Sequence, residues 1–228
     1  MRQYSIDARN IKNPIYPCPI QMGGKNANGQ MLSIGNYYLS LDGKPFFGVC
    51  GEAHFSRMNR ELWEDEIIKM KAGGLNIIAT YIFWIHHEEI EGTFDFSGNK
   101  DLRIFLELCK KNHMYVILRI GPFSHGECRN GGFPDWMYGQ PFDIRCDDPS
   151  YLYYTRRFYE QIYQQAKGLL FKDNGPVIGV QLENEHEHAS CPWEMTTENS
   201  KEWVVSGHDG KNHMNTLKKI AKEVGFDV

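Results

Sequence analysis

From residue 46 onward the chain alternates between two kinds of segment, and this alternation limits the folds open to it. Residues 46–50, 75–81, 115–120 and 176–182 are short, almost wholly apolar runs, such as Tyr115-Val116-Ile117-Leu118-Arg119-Ile120. Between and after them lie stretches with apolar residues three and four apart, the spacing of an amphipathic helix. In 60–72 the shared face is Leu62, Trp63, Ile67 and Met70; in 100–111 it is Leu102, Phe105, Leu106 and Cys109. The stretch 149–170 starts after Asp147-Asp148, and 213–224 is the fourth helix. A strand that is apolar on both faces must be covered on both, which calls for a parallel sheet flanked by helices.

A doubly wound sheet and a closed barrel both satisfy that demand. A nucleotide-binding doubly wound sheet would carry a Gly-rich phosphate turn after its first strand. The turn here reads Gly48-Val49-Cys50-Gly51-Glu52-Ala53-His54 and lacks that fingerprint. Each apolar run instead ends in polar or aromatic residues: Glu52 and His54, Tyr81 and Trp84, Glu127, then Asn184 and Glu185. Chemistry gathered at the carboxyl ends of strands is the habit of a (β/α)₈ TIM barrel. The expected architecture is therefore α/β, with about the first four β/α units of such a barrel in residues 36–228. Residues 1–35 form a polar N-terminal extension with a hairpin at Asn26-Ala27-Asn28-Gly29. Short strands at 37–41 and 45–49 flank Asp42-Gly43. Four units leave two sheet edges open, so marginal stability and self-association through those edges are expected.

The net charge of −4 argues against nucleic acid and anionic membrane as partners, since both need a basic surface. No apolar run approaches the roughly 20 residues of a membrane-spanning helix. The first residues contain no apolar signal core, which reads as cytoplasmic by default, or as secreted or periplasmic where Met1 is not the native start. The six cysteines include no Cys-x-x-Cys pair and read as reduced thiols, with Cys50 and Cys109 as small core residues.

The chemistry concentrates in Val177-Ile178-Gly179-Val180-Gln181-Leu182-Glu183-Asn184-Glu185, an apolar run that ends in three polar groups. A carboxyl beside an amide suits general acid/base work, and Glu185 is the leading candidate. Glu127, in Ser124-His125-Gly126-Glu127, is placed to accept hydroxyl hydrogen bonds, or else to pair with Arg119 or Arg129. Tyr81, Phe83, Trp84, Phe133 and Trp136 follow strand ends and either stack on sugar rings or cap the core. The groups His86-His87-Glu88 and His186-Glu187-His188, with Cys191, do not match zinc spacings. Neither a metal nor a cofactor is expected.

Several blocks together resemble glycoside hydrolase family 35, the β-galactosidases. They include Glu52-Ala53-His54-Phe55-Ser56-Arg57, Lys69-Met70-Lys71-Ala72-Gly73-Gly74-Leu75-Asn76, Arg119-Ile120-Gly121-Pro122-Phe123 and Gly131-Gly132-Phe133-Pro134-Asp135-Trp136. Asn174-Gly175-Pro176 leading into Gln181-Leu182-Glu183-Asn184-Glu185 completes the set, and the resemblance runs from about residue 38 to 188. It implies a (β/α)₈ barrel and hydrolysis with retention at the anomeric carbon. Glu185 would be the general acid/base, and Asn184 would hold the hydroxyl next to the anomeric carbon. Tyr81 and Glu127 would bind the terminal sugar, helped by backbone at His125 and Gly126. The family's nucleophile is a glutamate near the end of the seventh strand, beyond the four strands read here. Where the family pattern has Cys-Ala-Glu-Trp this chain has His125-Gly126-Glu127-Cys128, and His186-Glu187 stands in place of Tyr-Gly. The expected function is a retaining exo-β-glycosidase acting on terminal β-galactosides, with the 228 residues inactive by themselves. A non-catalytic carbohydrate-binding protein on the same scaffold, and a metal-dependent hydrolase using the histidines, are the alternatives.

Overall fold

The computed structural model describes residues 4–5, 14–17, 22–186 and 210–227. It contains two four-stranded sheets. The first is antiparallel, made of Gly23–Lys25 (β1), Met31–Ile34 (β2), Leu39–Leu41 (β3) and Lys44–Phe46 (β4), paired in chain order. Its strands lie on both sides of residue 35. The hairpin expected at Asn26-Ala27-Asn28-Gly29 joins β1 to β2: Asn26 Oδ1 accepts from the Gln30 amide at 2.8 Å, and Nδ2 donates to Gln30 Oε1 at 3.0 Å. Asp42 and Gly43, with φ of 53° and 73°, form the tight turn between β3 and β4.

The second sheet is parallel and holds Cys50–Glu52 (β5), Ile77–Tyr81 (β6), Tyr115–Gly121 (β7) and Val177–Leu182 (β8) in that order. Helix Trp63–Ala72 (α1) follows β5, the single turn Trp84–His87 (α2) and Leu102–Lys111 (α3) follow β6, Pro149–Ala166 (α4) follows β7, and Gly210–Val224 (α5) follows β8. These are the four β/α units read from the alternation, part of a (β/α)₈ barrel. Helices α1, α3, α4 and α5 pack each on the next. Among the described residues no helix is long and apolar enough to cross a membrane.

The core lies between sheet and helices. Ile78, Val116, Leu118, Ile120 and Val177 meet Leu102, Phe105, Leu106 and Cys109 of α3 and Phe158, Tyr159 and Ile162 of α4, all fully buried. Each large side chain buried there contributes roughly 1.5–3 kcal/mol. Trp84 stacks on Phe158 with centroids 4.5 Å apart, so α2 is pinned to α4. Caps fix where the helices start. Asp101 Oδ1 accepts from the Ile104 amide at 3.0 Å, and Asp148 Oδ1 from the Ser150 amide at 2.8 Å, with Pro149 following. The neighbouring Asp147 serves α5 instead, meeting His213 Nδ1 at 2.7 Å and Thr216 Oγ1 at 2.8 Å.

Four local expectations are corrected. The first parallel strand begins at Cys50, because Phe46 ends β4 and Phe47 is 85% exposed. The Asn76 side chain substitutes for the missing ladder: Oδ1 accepts from the Val49 amide at 2.8 Å and Nδ2 donates to the Phe47 carbonyl at 2.8 Å. Cys50 is consequently exposed, whereas Cys109 is buried as expected. Leu62 sits exposed in the 3₁₀ turn ahead of α1, so Trp63 and Ile67 carry that helix's buried face. α4 stops at Ala166, two residues before Gly168, which has φ of 79°.

The turn at Asn174-Gly175-Pro176 ties the hairpin to the sheet, with Asn174 Oδ1 accepting from the Asn28 amide at 2.9 Å. A Cβ at Gly175 would stand 1.9 Å from the Leu169 carbonyl, where only backbone could yield. Gly175→Ala is therefore expected to cost about 2–3 kcal/mol in urea denaturation, and a neutral substitution would contradict this packing. A second expectation concerns acid. His87 lies between the rings of Phe55 and Phe96, centroids 5.9 and 4.3 Å away, and its Nδ1 donates to the Asp95 carbonyl at 3.0 Å. Burial first, opposed by that bond, lowers its pKa from 6.5 to about 4. The unfolded chain binds this proton more readily, so the contribution is full above pH 6.5 and is lost as pH falls toward 4. Between pH 7.5 and 4.5 His87→Gln should lose about 2–3 kcal/mol less stability than the parent. Equal losses in both proteins would remove His87 as the cause.

Candidate active site

The carboxyl ends of β5 to β8 form one rim, and the last of them supplies its centre. After Leu182 the chain turns sharply, with Glu183 and Glu185 both left-handed at φ of 58° and 45°. Such conformations in residues with a Cβ cost of order 1–2 kcal/mol each and need surrounding contacts to hold them. Those contacts are present. The Glu183 amide donates to the Gly121 carbonyl at 2.7 Å. Its buried carboxylate takes a two-pronged bond from Arg145, with Nε to Oε1 at 3.0 Å and Nη2 to Oε2 at 2.5 Å. Arg145 Nη2 also donates to the Asn184 carbonyl at 2.9 Å, and its guanidinium lies 3.7 Å from the centroid of Phe123.

Asn184 is the meeting point of three strands. Its Oδ1 accepts from the Tyr81 hydroxyl of β6 at 3.1 Å, Arg119 Nη2 of β7 at 2.6 Å and Gln181 Nε2 of β8 at 3.3 Å. Three donors on one atom identify it as the amide oxygen, so the NH₂ group is the part left to donate elsewhere. The Arg119 guanidinium lies 3.7 Å from the centroid of the Tyr81 ring. Desolvation raises the Tyr81 pKa, with Arg119 opposing and the charges of Glu52 and Glu185 adding, so its hydroxyl remains a neutral donor. Glu185 is solvent-exposed beside this cluster.

The loop after β7 brings the remaining candidates. His125, Gly126 and Glu127 are all left-handed, at φ of 58°, 52° and 47°. The loop closes on itself where the Gly131 carbonyl accepts from the amides of Ser124 and His125 at 2.8 and 3.0 Å. A Cβ at Gly126 would lie 2.8 Å from Phe83 and 3.3 Å from Tyr81, so this loop rests on the Tyr81 side of the rim. The exposed Glu127 lines a cavity of about 640 Å³ together with Arg57, His86 and Cys128. The two arginines weighed as its partners are engaged elsewhere, Arg119 with Glu52 and Arg129 with Asp135 at 2.7 Å.

Other candidates are structural in this fold. Trp84, Phe83 and Phe133 are fully buried, and half-buried Trp136 donates to the Glu88 carbonyl at 2.9 Å, so these aromatics cap the core. The group His86-His87-Glu88 is split. His86 Nδ1 meets Ser56 Oγ at 2.8 Å, His87 is sandwiched between rings, and buried Glu88 accepts from Trp84 Nε1 at 2.6 Å and the Gly92 amide at 2.7 Å. Among the described residues no group of three His, Cys, Asp or Glu side chains is arranged to hold a metal. Glu187, His188 and Cys191 lie outside the described residues. Sequence reasoning missed Arg145 and the role of Arg57. The only available signal for Arg145 was indirect, since a carboxylate buried at a strand end needs a cation.

With this geometry in hand, the relatives are informative. The chain matches the model of glycosyl hydrolases family 35 over residues 38–224. It is 36% identical over 169 residues to a β-galactosidase of Xanthomonas manihotis, covering 74% of this chain and 28% of that protein. It is 38% identical over 167 residues to a β-galactosidase of Homo sapiens, covering 72% and 25%. The chain thus spans about a quarter of the length of these curated relatives. Among solved structures, an exo-β-1,4-mannosidase from Opitutaceae bacterium strain TAV5 aligns with a TM-score of 0.57 over 89% of this chain and 32% of its own, at 14% identity. A GH5_18 protein from Streptomyces cattleya gives 0.57 over 78% and 42%, at 9% identity. At such identities the likeness speaks for the fold, and the fold is the barrel. The extent of the family match and the identity to its members show that this chain belongs to glycosyl hydrolases family 35.

Proposed function

We propose that this rim is the acid/base half of a retaining exo-β-glycosidase that removes terminal β-galactosides. The observation that carries the reading is the convergence of Tyr81, Arg119 and Gln181 on Asn184 Oδ1, next to exposed Glu185. It fixes the amide by its oxygen, which leaves the NH₂ group as the donor, beside a carboxyl that reaches solvent. Glu185 protonates the departing glycosidic oxygen while a second carboxylate attacks the anomeric carbon. In the second step Glu185 takes a proton from the incoming water. The two carboxyls of a retaining enzyme stand roughly 5–5.5 Å apart. Asn184 holds the hydroxyl next to the anomeric carbon, and Tyr81 and Glu127 bind further hydroxyls with help from backbone at His125 and Gly126. The names of the relatives favour galactose as the sugar.

Glu183 and Glu52 are poor candidates for the second carboxylate, because Arg145 and Arg119 already occupy them. The family resemblance puts the nucleophile near the end of the seventh strand, later in the barrel than the four parallel strands described. By themselves the 228 residues are expected to give no turnover of an aryl β-galactoside. In an enzyme extended by the later strands, Glu185→Gln should lower turnover of a substrate with a poor leaving group by about 10²–10⁴-fold. Unchanged turnover would remove Glu185 from the mechanism. A separate expectation concerns the support beneath it. Arg145→Met leaves the Glu183 carboxylate buried and unpaired, which should cost about 3–5 kcal/mol, and adding Glu183→Gln should recover much of that. Additive losses in urea denaturation would count against the pair.

A further inference from the structure

The Asn184 amide and the Gly126-Glu127 turn follow different strands, yet an unbroken line of polar contacts joins them. Arg119 bonds Asn184 Oδ1 through Nη2 and pairs with Glu52 Oε2 through Nη1. The other oxygen of Glu52 lies 2.7 Å from His54 Nε2, and His54 Nδ1 lies 3.1 Å from Arg57 Nη1. Arg57 then donates from Nη1 to the Gly126 carbonyl at 2.8 Å and from Nη2 to the Glu127 carbonyl at 3.2 Å.

Chemistry fixes the direction of each link. A guanidinium has donors and no acceptor, so His54 Nδ1 must accept from Arg57. A carboxylate only accepts, so His54 Nε2 must carry the proton it gives to Glu52. One state of the ring meets both demands, the neutral Nε2–H tautomer. A proton added at Nδ1 would face the N–H of Arg57 and break that link. The far end of the line needs the support it receives. His125 and Glu127 are left-handed residues with side chains, a conformation that surrounding contacts must hold. Arg57 holds two carbonyls of that turn, and its guanidinium sits 4.4 Å from the centroid of Phe83, the ring against which Gly126 packs.

We infer that Arg57 is a positioning residue that sets the turn carrying Glu127, and that a neutral His54 locked as the Nε2–H tautomer ties this turn through Glu52 and Arg119 to Asn184. What the turn binds rests on the glycosidase reading; the linkage itself does not. The test uses the 228-residue chain labelled with ¹⁵N at pH 8. Two-bond ¹H–¹⁵N spectra of the imidazoles, with His54 identified by its loss in His54→Gln, should give the Nε2–H pattern. An Nδ1–H pattern or an imidazolium overturns the inference, and this reading needs no variant at Arg57. In Arg57→Met, hydrogen exchange at the amides of His125 and Cys128 should rise at least tenfold, with Ile78 and Leu118 unchanged as controls of folding. Unchanged exchange at His125 and Cys128 overturns it as well. Isopropyl β-thiogalactoside titrated into an enzyme extended by the later strands probes the other reading separately. Failure of that extended enzyme to bind it counts against the glycosidase reading, while tautomer and exchange still decide the positioning role.

Discussion

The candidate site depends on one side-chain oxygen. Asn184 Oδ1 collects donors from β6, β7 and β8, so the relative placement of three strands is read out at a single atom. Each such bond contributes about 1 kcal/mol net, and more where the donor is charged, as Arg119 is. Their larger effect is orientation. An amide free to flip would offer a donor or an acceptor at random, whereas this one is fixed with its oxygen on the three donors. The parallel register that makes this geometry follows from Ile77 pairing with Tyr115 and Val116 with Val177.

Around that atom the two acidic neighbours divide their tasks by environment. Glu183 is buried and clamped by Arg145, which also grips the Asn184 carbonyl and so holds the strained turn in shape. Glu185, two residues on, reaches solvent. A carboxylate whose lone pairs are taken by a guanidinium is a poor proton shuttle, and one that reaches solvent at the rim is a better one. On β5 Glu52 is also paired, with Arg119 and His54, although it is exposed. Among the described residues the rim is thus a set of supported polar groups, with Glu52, Glu127 and Glu185 as exposed carboxylates and Glu52 the one paired with Arg119.

Much of this was legible in the sequence, for identifiable reasons. The period of the apolar residues changes between strand and helix, so the four β/α units and the stripe Leu102, Phe105, Leu106, Cys109 could be read directly. Asp148 before Pro149 marked the start of α4, and Glu-Asn-Glu at the end of an apolar run marked the centre of the rim. What escaped depends on contacts between distant residues. Arg145 comes from a loop without periodicity and reaches Glu183 across 38 positions. Asn76 supplies side-chain bonds in place of a strand pair, which moved the start of β5 to Cys50 and left that thiol exposed. Aromatic residues after strand ends could not be sorted by sequence into core and rim. Burial sorts them, and Trp84 belongs to the core.

In the proposed function Asn184, fixed by three donors, presents its NH₂ to the sugar hydroxyl beside the anomeric carbon while Glu185 exchanges the proton. The most direct measurement compares kcat/KM for an aryl β-galactoside and its 2-deoxy analogue, in an enzyme containing these residues and the later strands. The account requires the parent to prefer the galactoside by at least about tenfold, the worth of one good hydrogen bond, and Asn184→Ala to erase most of that preference. A variant that kept the parent's full preference would show that another group reads the hydroxyl, and the account would be wrong at its centre.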